Sequence, residues 1–147
     1  MLVSHDAMVM VIDGARMSLF RNRGTDLAID LEVVENDRKH VENTAALGTD
    51  KPGRSYNSTG RARSAYQSTD FHQAAEDAFA IAATEQLNDL ARQSNLNFIV
   101  VATPRVLGAM RHHYSDALKK RITAEIDKDY AGRPAADVAH LLRHHEV

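Results

Sequence analysis

Ala7-Met8-Val9-Met10-Val11-Ile12 is an unbroken apolar run, and Asp13-Gly14 closes it. Such a run, rich in branched side chains and ended by a turn pair, predicts a buried strand. Ala15 to Asn22 follows at once and predicts a second strand, hairpinned on the first around Asp13-Gly14. Asn22-Arg23-Gly24-Thr25-Asp26 is the next turn. From Leu27 to Glu35 the apolar residues Leu27, Ile29, Leu31 and Val33 alternate, which predicts a third, antiparallel strand. Residues 37–70 are polar and hold Gly, Pro, Ser, Thr and Asn, so they read as a connection rather than a packed element.

The period then changes from two to about 3.6. Ser68-Thr69-Asp70 offers N-cap chemistry for a long helix over roughly 70–94. Its apolar stripe would be Phe71, Ala75, Ala78, Phe79, Ala82, Leu87, Leu90 and Ala91. Asn97 to Pro104 is apolar on both faces, as a central parallel strand should be. Thr103-Pro104 then predicts a helix entry with Pro at N1, and Val106, Leu107, Met110 and Tyr114 give that helix one inner face. Ser115-Asp116 opens a short helical turn toward Arg121. Ile122 to Asp127 predicts a last strand. Arg133-Pro134 opens a closing helix lined by Val138, Leu141 and Leu142. The order β-β-β, connection, α, β, α, β, α describes an α/β fold. It matches a ribonuclease-H-like topology: a mixed sheet of three antiparallel strands followed by βα units, with helices packed on it. One domain is expected over residues 1–147, with a basic loop at about 37–69.

Composition narrows the chemistry. With no cysteine there is no disulfide, no thiolate metal site and no cysteine nucleophile. No apolar run approaches the ~20 residues of a membrane span, and an acid precedes the first apolar run, unlike a signal peptide. A cytoplasmic chain without a membrane partner is expected. Its net charge is −2, yet residues 51–69 hold Lys51, Arg54, Arg61 and Arg63 and no acid. Arginine forks suit phosphate oxygens, Gly53 and Gly60 permit close backbone approach, and Tyr56 and Tyr66 can stack on unpaired bases. RNA contact by Lys51, Arg54, Tyr56, Gly60, Arg61, Arg63 and Tyr66 is therefore the first functional expectation. The bland alternative is a solubilising loop.

Other constellations are weaker. Arg105 follows the central strand at a helix N-terminus and is a candidate anion ligand. Asp13 ends the first strand, where a nuclease carboxylate would stand with Glu76 and Asp127 or Asp129. A hairpin turn by itself explains Asp13-Gly14. His140 and His144 have ligand spacing but lack a completing carboxylate. P-loop, Gly-x-Gly-x-x-Gly, Gly-x-Ser-x-Gly and His-Glu-x-x-His motifs are all absent. No catalytic residue, metal or cofactor is assigned, and a binding module is favoured over an enzyme.

Several phrases together resemble the bacterial host attachment protein family, described as required for attachment to host cells. They are His5-Asp6-Ala7, Asp13-Gly14, Gly48-Thr49-Asp50-Lys51-Pro52-Gly53-Arg54, Val100 to Gly108 and Ala124 to Asp129. The resemblance spans nearly the whole chain, in order and spacing. That family is in turn similar to the middle domain of archaeal and eukaryotic class-1 peptide release factors. There, a loop before a long helix carries Gly-Gly-Gln into the ribosomal peptidyl-transferase centre. Gly60 resembles a glycine of that motif and Ser64-Ala65 the Ser-Ala beyond it, but Gly-Gly-Gln is absent and Gln67 is displaced. The resemblance implies a ribosome or RNA partner and an intracellular role that affects attachment indirectly. The alternative it implies is a degenerate peptidyl-tRNA hydrolase, beside the metal nuclease raised by Asp13.

Overall fold

The computed structural model describes residues 1–38 and 61–146, with residues 61–70 described at the level of the helical backbone. Its strands are β1 (Met8–Ile12), β2 (Arg16–Asn22), β3 (Leu31–Arg38), β4 (Phe98–Ala102) and β5 (Ile122–Ile126). Its described helices are α1 (Arg61–Gln93), α2 (Pro104–Arg111), α3 (Asp116–Arg121) and α4 (Ala135–His144). The strands form one mixed sheet in the order β3-β2-β1-β4-β5. β1 pairs antiparallel with β2 and parallel with β4, and β4 pairs parallel with β5.

The two continuous apolar runs become the two central strands because only there is a strand covered on both faces. Every residue of β1 and β4 is buried. Met8, Met10 and Ile12 join Phe98, Val100 and Ala102 beneath α1, α2 and α3. Val9 and Val11 join Ile99 and Val101 on the opposite face, beneath α4. Each large side chain fully buried here, such as Phe98 or Leu19, contributes roughly 1.5–3 kcal/mol of transfer free energy.

Asp13 turns the first hairpin. Its Oδ1 accepts from the backbone N–H of Ala15 (2.8 Å) and of Arg16 (2.7 Å). Asn22 performs a larger version of the same task at the far end of β2. Fully buried, it donates to the carbonyls of Val3, Ser4 and Thr25 and accepts from the N–H of Gly24 and Asp30. One side chain thus satisfies three stretches of irregular backbone. Gly24 is required there, because a Cβ would lie 1.9 Å from the Ala28 carbonyl oxygen.

Two boundaries differ from the sequence expectation. The third strand starts at Leu31, not Leu27, since residues 23–30 fold into the loop that Asn22 holds. Leu27 is 78% exposed. Val33 faces Phe20 and Glu35 faces Leu19, so Val34 is the extra residue of a bulge that interrupts the alternation. The long helix begins at Arg61, nine residues before the expected start, and contains Ser68-Thr69-Asp70 rather than being capped by them. The basic loop expected to reach residue 69 therefore ends by Arg61. The reason is compositional: neither glycine nor proline occurs from Arg61 to Thr103, and Arg, Ala and Gln are good helix formers.

The inner face of α1 is also rotated from the expected stripe. Ala80, Ala83, Thr84, Leu87, Asn88 and Ala91 are buried, while Phe71, Ala78 and Ala82 are exposed. Thr84 and Asn88 can face inward because each has partners. Thr84 Oγ1 donates to the Ala80 carbonyl, and Asn88 bonds both the His113 carbonyl and the Ser115 N–H. Ser115 caps α3 by accepting from the Leu118 N–H, as its position predicts. α4 buries Val138, Ala139 and Leu142.

Candidate nucleic-acid interface

α1 runs antiparallel to β1 and β4. Its last residue, Gln93, is separated from the start of β4 by only four residues. Glu76 lies against Gly14, just past the end of β1, and Asp77 lies against Arg105, just past the end of β4. Residues 76–77 therefore stand level with the C-terminal ends of the parallel strands. The fifteen residues 61–75 of α1 continue beyond that edge for about 22 Å. No acid stands in the first turn, where the helix dipole is positive and adds to any cation.

Of the expected RNA contacts, Arg61, Arg63 and Tyr66 occupy the first two turns of this overhanging helix. Lys51, Arg54, Tyr56 and Gly60 lie outside the described residues. Arg105 is where it was expected, in the first turn of α2 behind Pro104, with Thr103 at the N-cap but making no side-chain cap bond. Its surroundings differ from an open anion site. One Arg105 Nη donates to Asp77 Oδ1 at 3.5 Å, and the Gln73 amide oxygen, oriented toward it, accepts from both terminal nitrogens. α1 already supplies the guanidinium with a counter-charge.

Sequence reasoning missed a second polar cluster at the same edge. Arg111 donates to Glu125 through Nε at 3.1 Å and Nη at 3.0 Å, and the Tyr114 hydroxyl donates to the same carboxylate at 2.7 Å. Burial, then the bond to Glu125, push the Tyr114 phenol far above its usual range, so it stays protonated. The bond to Glu125 likewise raises Arg111. Pro104, Leu107, Arg111, Glu125 and Asp127 line a cavity of about 300 Å³ beside this cluster. Arg111 and Glu125 are fourteen residues apart, on a helix and a strand, and no local spacing announces their meeting.

The remaining candidates have local explanations. Asp13 is engaged by its own turn and lies 3.8 Å from Arg16. His144 Nδ1 lies 3.0 Å from the His140 carbonyl within α4, with the two rings 4.2 Å apart. Among the described residues, no three histidine or carboxylate side chains converge as a metal-binding group.

Residues 6–142 match bacterial archaeo-eukaryotic release factor family 12. The chain belongs to that family. The release-factor relation expected from the sequence thus holds for this family 12 chain over almost its whole length. No curated protein matches it. Among solved structures it is similar to ethanolamine utilization protein EutJ from Carboxydothermus hydrogenoformans, at 15% identity and a TM-score of 0.39, over 86% of this chain and 47% of that one. The family 12 chain therefore spans about half the length of that protein. No helix among its described residues is long and apolar enough to cross a membrane.

Proposed function

We propose that this family 12 chain is a translation-related binding module that contacts ribosomal RNA through the first turns of α1 and the basic segment before them. The family relation supports the link to translation. The observation that carries the contact is the overhang of α1, which bears Arg61 and Arg63 past the sheet edge directly after an acid-free cationic segment. Phosphate contacts of this kind need local positive charge rather than a basic domain. The order β3-β2-β1-β4-β5 supports a ribonuclease-H-like scaffold formed by one domain. In this reading the protein works in the cytoplasm as a non-enzymatic module, and any part in attachment to host cells is indirect. Gly-Gly-Gln is missing and Asp13 is occupied by its turn, so neither peptidyl-tRNA hydrolysis by that motif nor metal-dependent nuclease action gains support.

The test is co-sedimentation with ribosomes. Wild type should pellet with ribosomes at low salt and be released as salt rises. The triple change Arg54→Ala, Arg61→Ala, Arg63→Ala should abolish pelleting while helical circular dichroism is retained, since alanine favours helix. Equal pelleting of the triple variant would reject the proposed surface.

A further inference from the structure

Just past the sheet edge, residues 71–78 of α1 have little to hold them. Residues 71–74 are all exposed, and the first buried residue after them is Ala80. Between them, one polar cluster and one packing contact join the helix to the body. Arg105 is shared by Asp77 and Gln73, and the Glu76 carboxyl rests on Gly14, where a Cβ would come within 2.7 Å. The Arg105 side of this arrangement is rigidly mounted. Pro104 fixes the backbone next to it, and Val106 and Leu107 anchor the same turn in the core.

A short helix without tertiary contact is marginal in water. Phe79, half-buried, still packs against the core, so residues 71–78 depend on whatever grips them next. We propose that Arg105, with Asp77 and Gln73, is a clasp that sets where α1 stops being a stable helix, so that breaking it melts the arm without unfolding the sheet. The partners are half-exposed, with side-chain exposures of 49% for Arg105 and 45% for Asp77. Salt should therefore weaken the clasp. The inference rests on the proposed RNA reading only for its purpose, which is to hold Arg61 and Arg63 on a rigid helix. The clasp itself is a property of the free protein.

Hydrogen–deuterium exchange of the full chain tests it. Arg105→Ala should speed exchange in peptides within 71–78 by about two- to fivefold, leaving β1, β4 and residues 83–93 unchanged. Wild type in 1 M salt should approach the variant. The swapped pair Arg105→Asp with Asp77→Arg should restore slow exchange. Unchanged exchange over 71–78 in Arg105→Ala would overturn the clasp. So would acceleration spread equally over the sheet, or a swapped pair that exchanges as fast as Arg105→Ala. Because no ribosome is present, failure of the sedimentation experiment would leave this result standing, and the reverse also holds.

Discussion

The two halves of α1 share one unbroken helical backbone but are held by different forces. From Ala80 to Ala91 the helix buries Ala80, Ala83, Leu87 and Ala91 against Met10, Leu19, Val100 and their neighbours. From Phe71 to Asp77 it has only one polar cluster and one packing contact, and Phe71 stands 49% exposed. Residue type does not separate the halves, since alanine is common in both. What separates them is the length of the sheet: a five-residue strand covers about 17 Å, whereas the 33-residue helix extends about 50 Å. The surplus length is what reaches outward.

Leu87→Ala should be the harshest break of this contrast, lowering stability by about 2–5 kcal/mol in urea denaturation because it opens a cavity under the helix. Phe71→Ala, a larger truncation, should change stability by less than about 0.5 kcal/mol, because its site is already wet. If the two cost the same, the halves are not distinct. Overpacking probes the same boundary. Ala83→Leu should cost roughly 1–3 kcal/mol, whereas Ala78→Leu, on the exposed side, should leave the unfolding midpoint within about 0.5 kcal/mol of wild type.

Tyr114 tests the packed side by pH. Its folded-state ionisation is pushed above the ordinary value of 10.0 by burial and by Glu125. The unfolded chain thus loses this proton first, so the stabilisation is complete below about pH 10 and falls as pH rises above it. Tyr114→Phe should flatten that alkaline decline and cost about 1–2 kcal/mol at pH 7 through the lost bond to a charged acceptor. Gly14→Ala should also do little. The clash at 2.7 Å is with the end of the flexible Glu76 side chain, which can move aside for under about 1 kcal/mol.

Much of this architecture was legible in the chain. β1 and β4 announced themselves because burial on both faces removes the need for polar residues. The Asp13-Gly14 turn, Pro104 at the start of α2 and the Ser115 cap each follow from backbone chemistry local to a few residues. The start of α1 was misread because Ser68-Thr69-Asp70 has cap chemistry whether or not a helix begins there. Only the run of helix formers upstream decides the matter. The inner face of α1 was misread because apolar periodicity does not reveal that Thr84 and Asn88 will find partners inside. The bulge at Val34 and the pairing of Arg111 with Glu125 depend on neighbours distant in sequence. Arg105 was seen as a charged residue at a ligand-prone position, but its neutralisation by Asp77, twenty-eight residues earlier, is a tertiary fact.

Met8 to Ile12 lies beside Phe98 to Ala102 in the finished sheet, residue for residue. A chain growing from its N-terminus makes the first hairpin early, then must add some ninety residues before the open flank of its innermost strand can be covered. Contacts that distant are slow to close. Until they do, a bare apolar edge is available to other chains. This protein should therefore refold best at low concentration and lean on chaperones while it is being made.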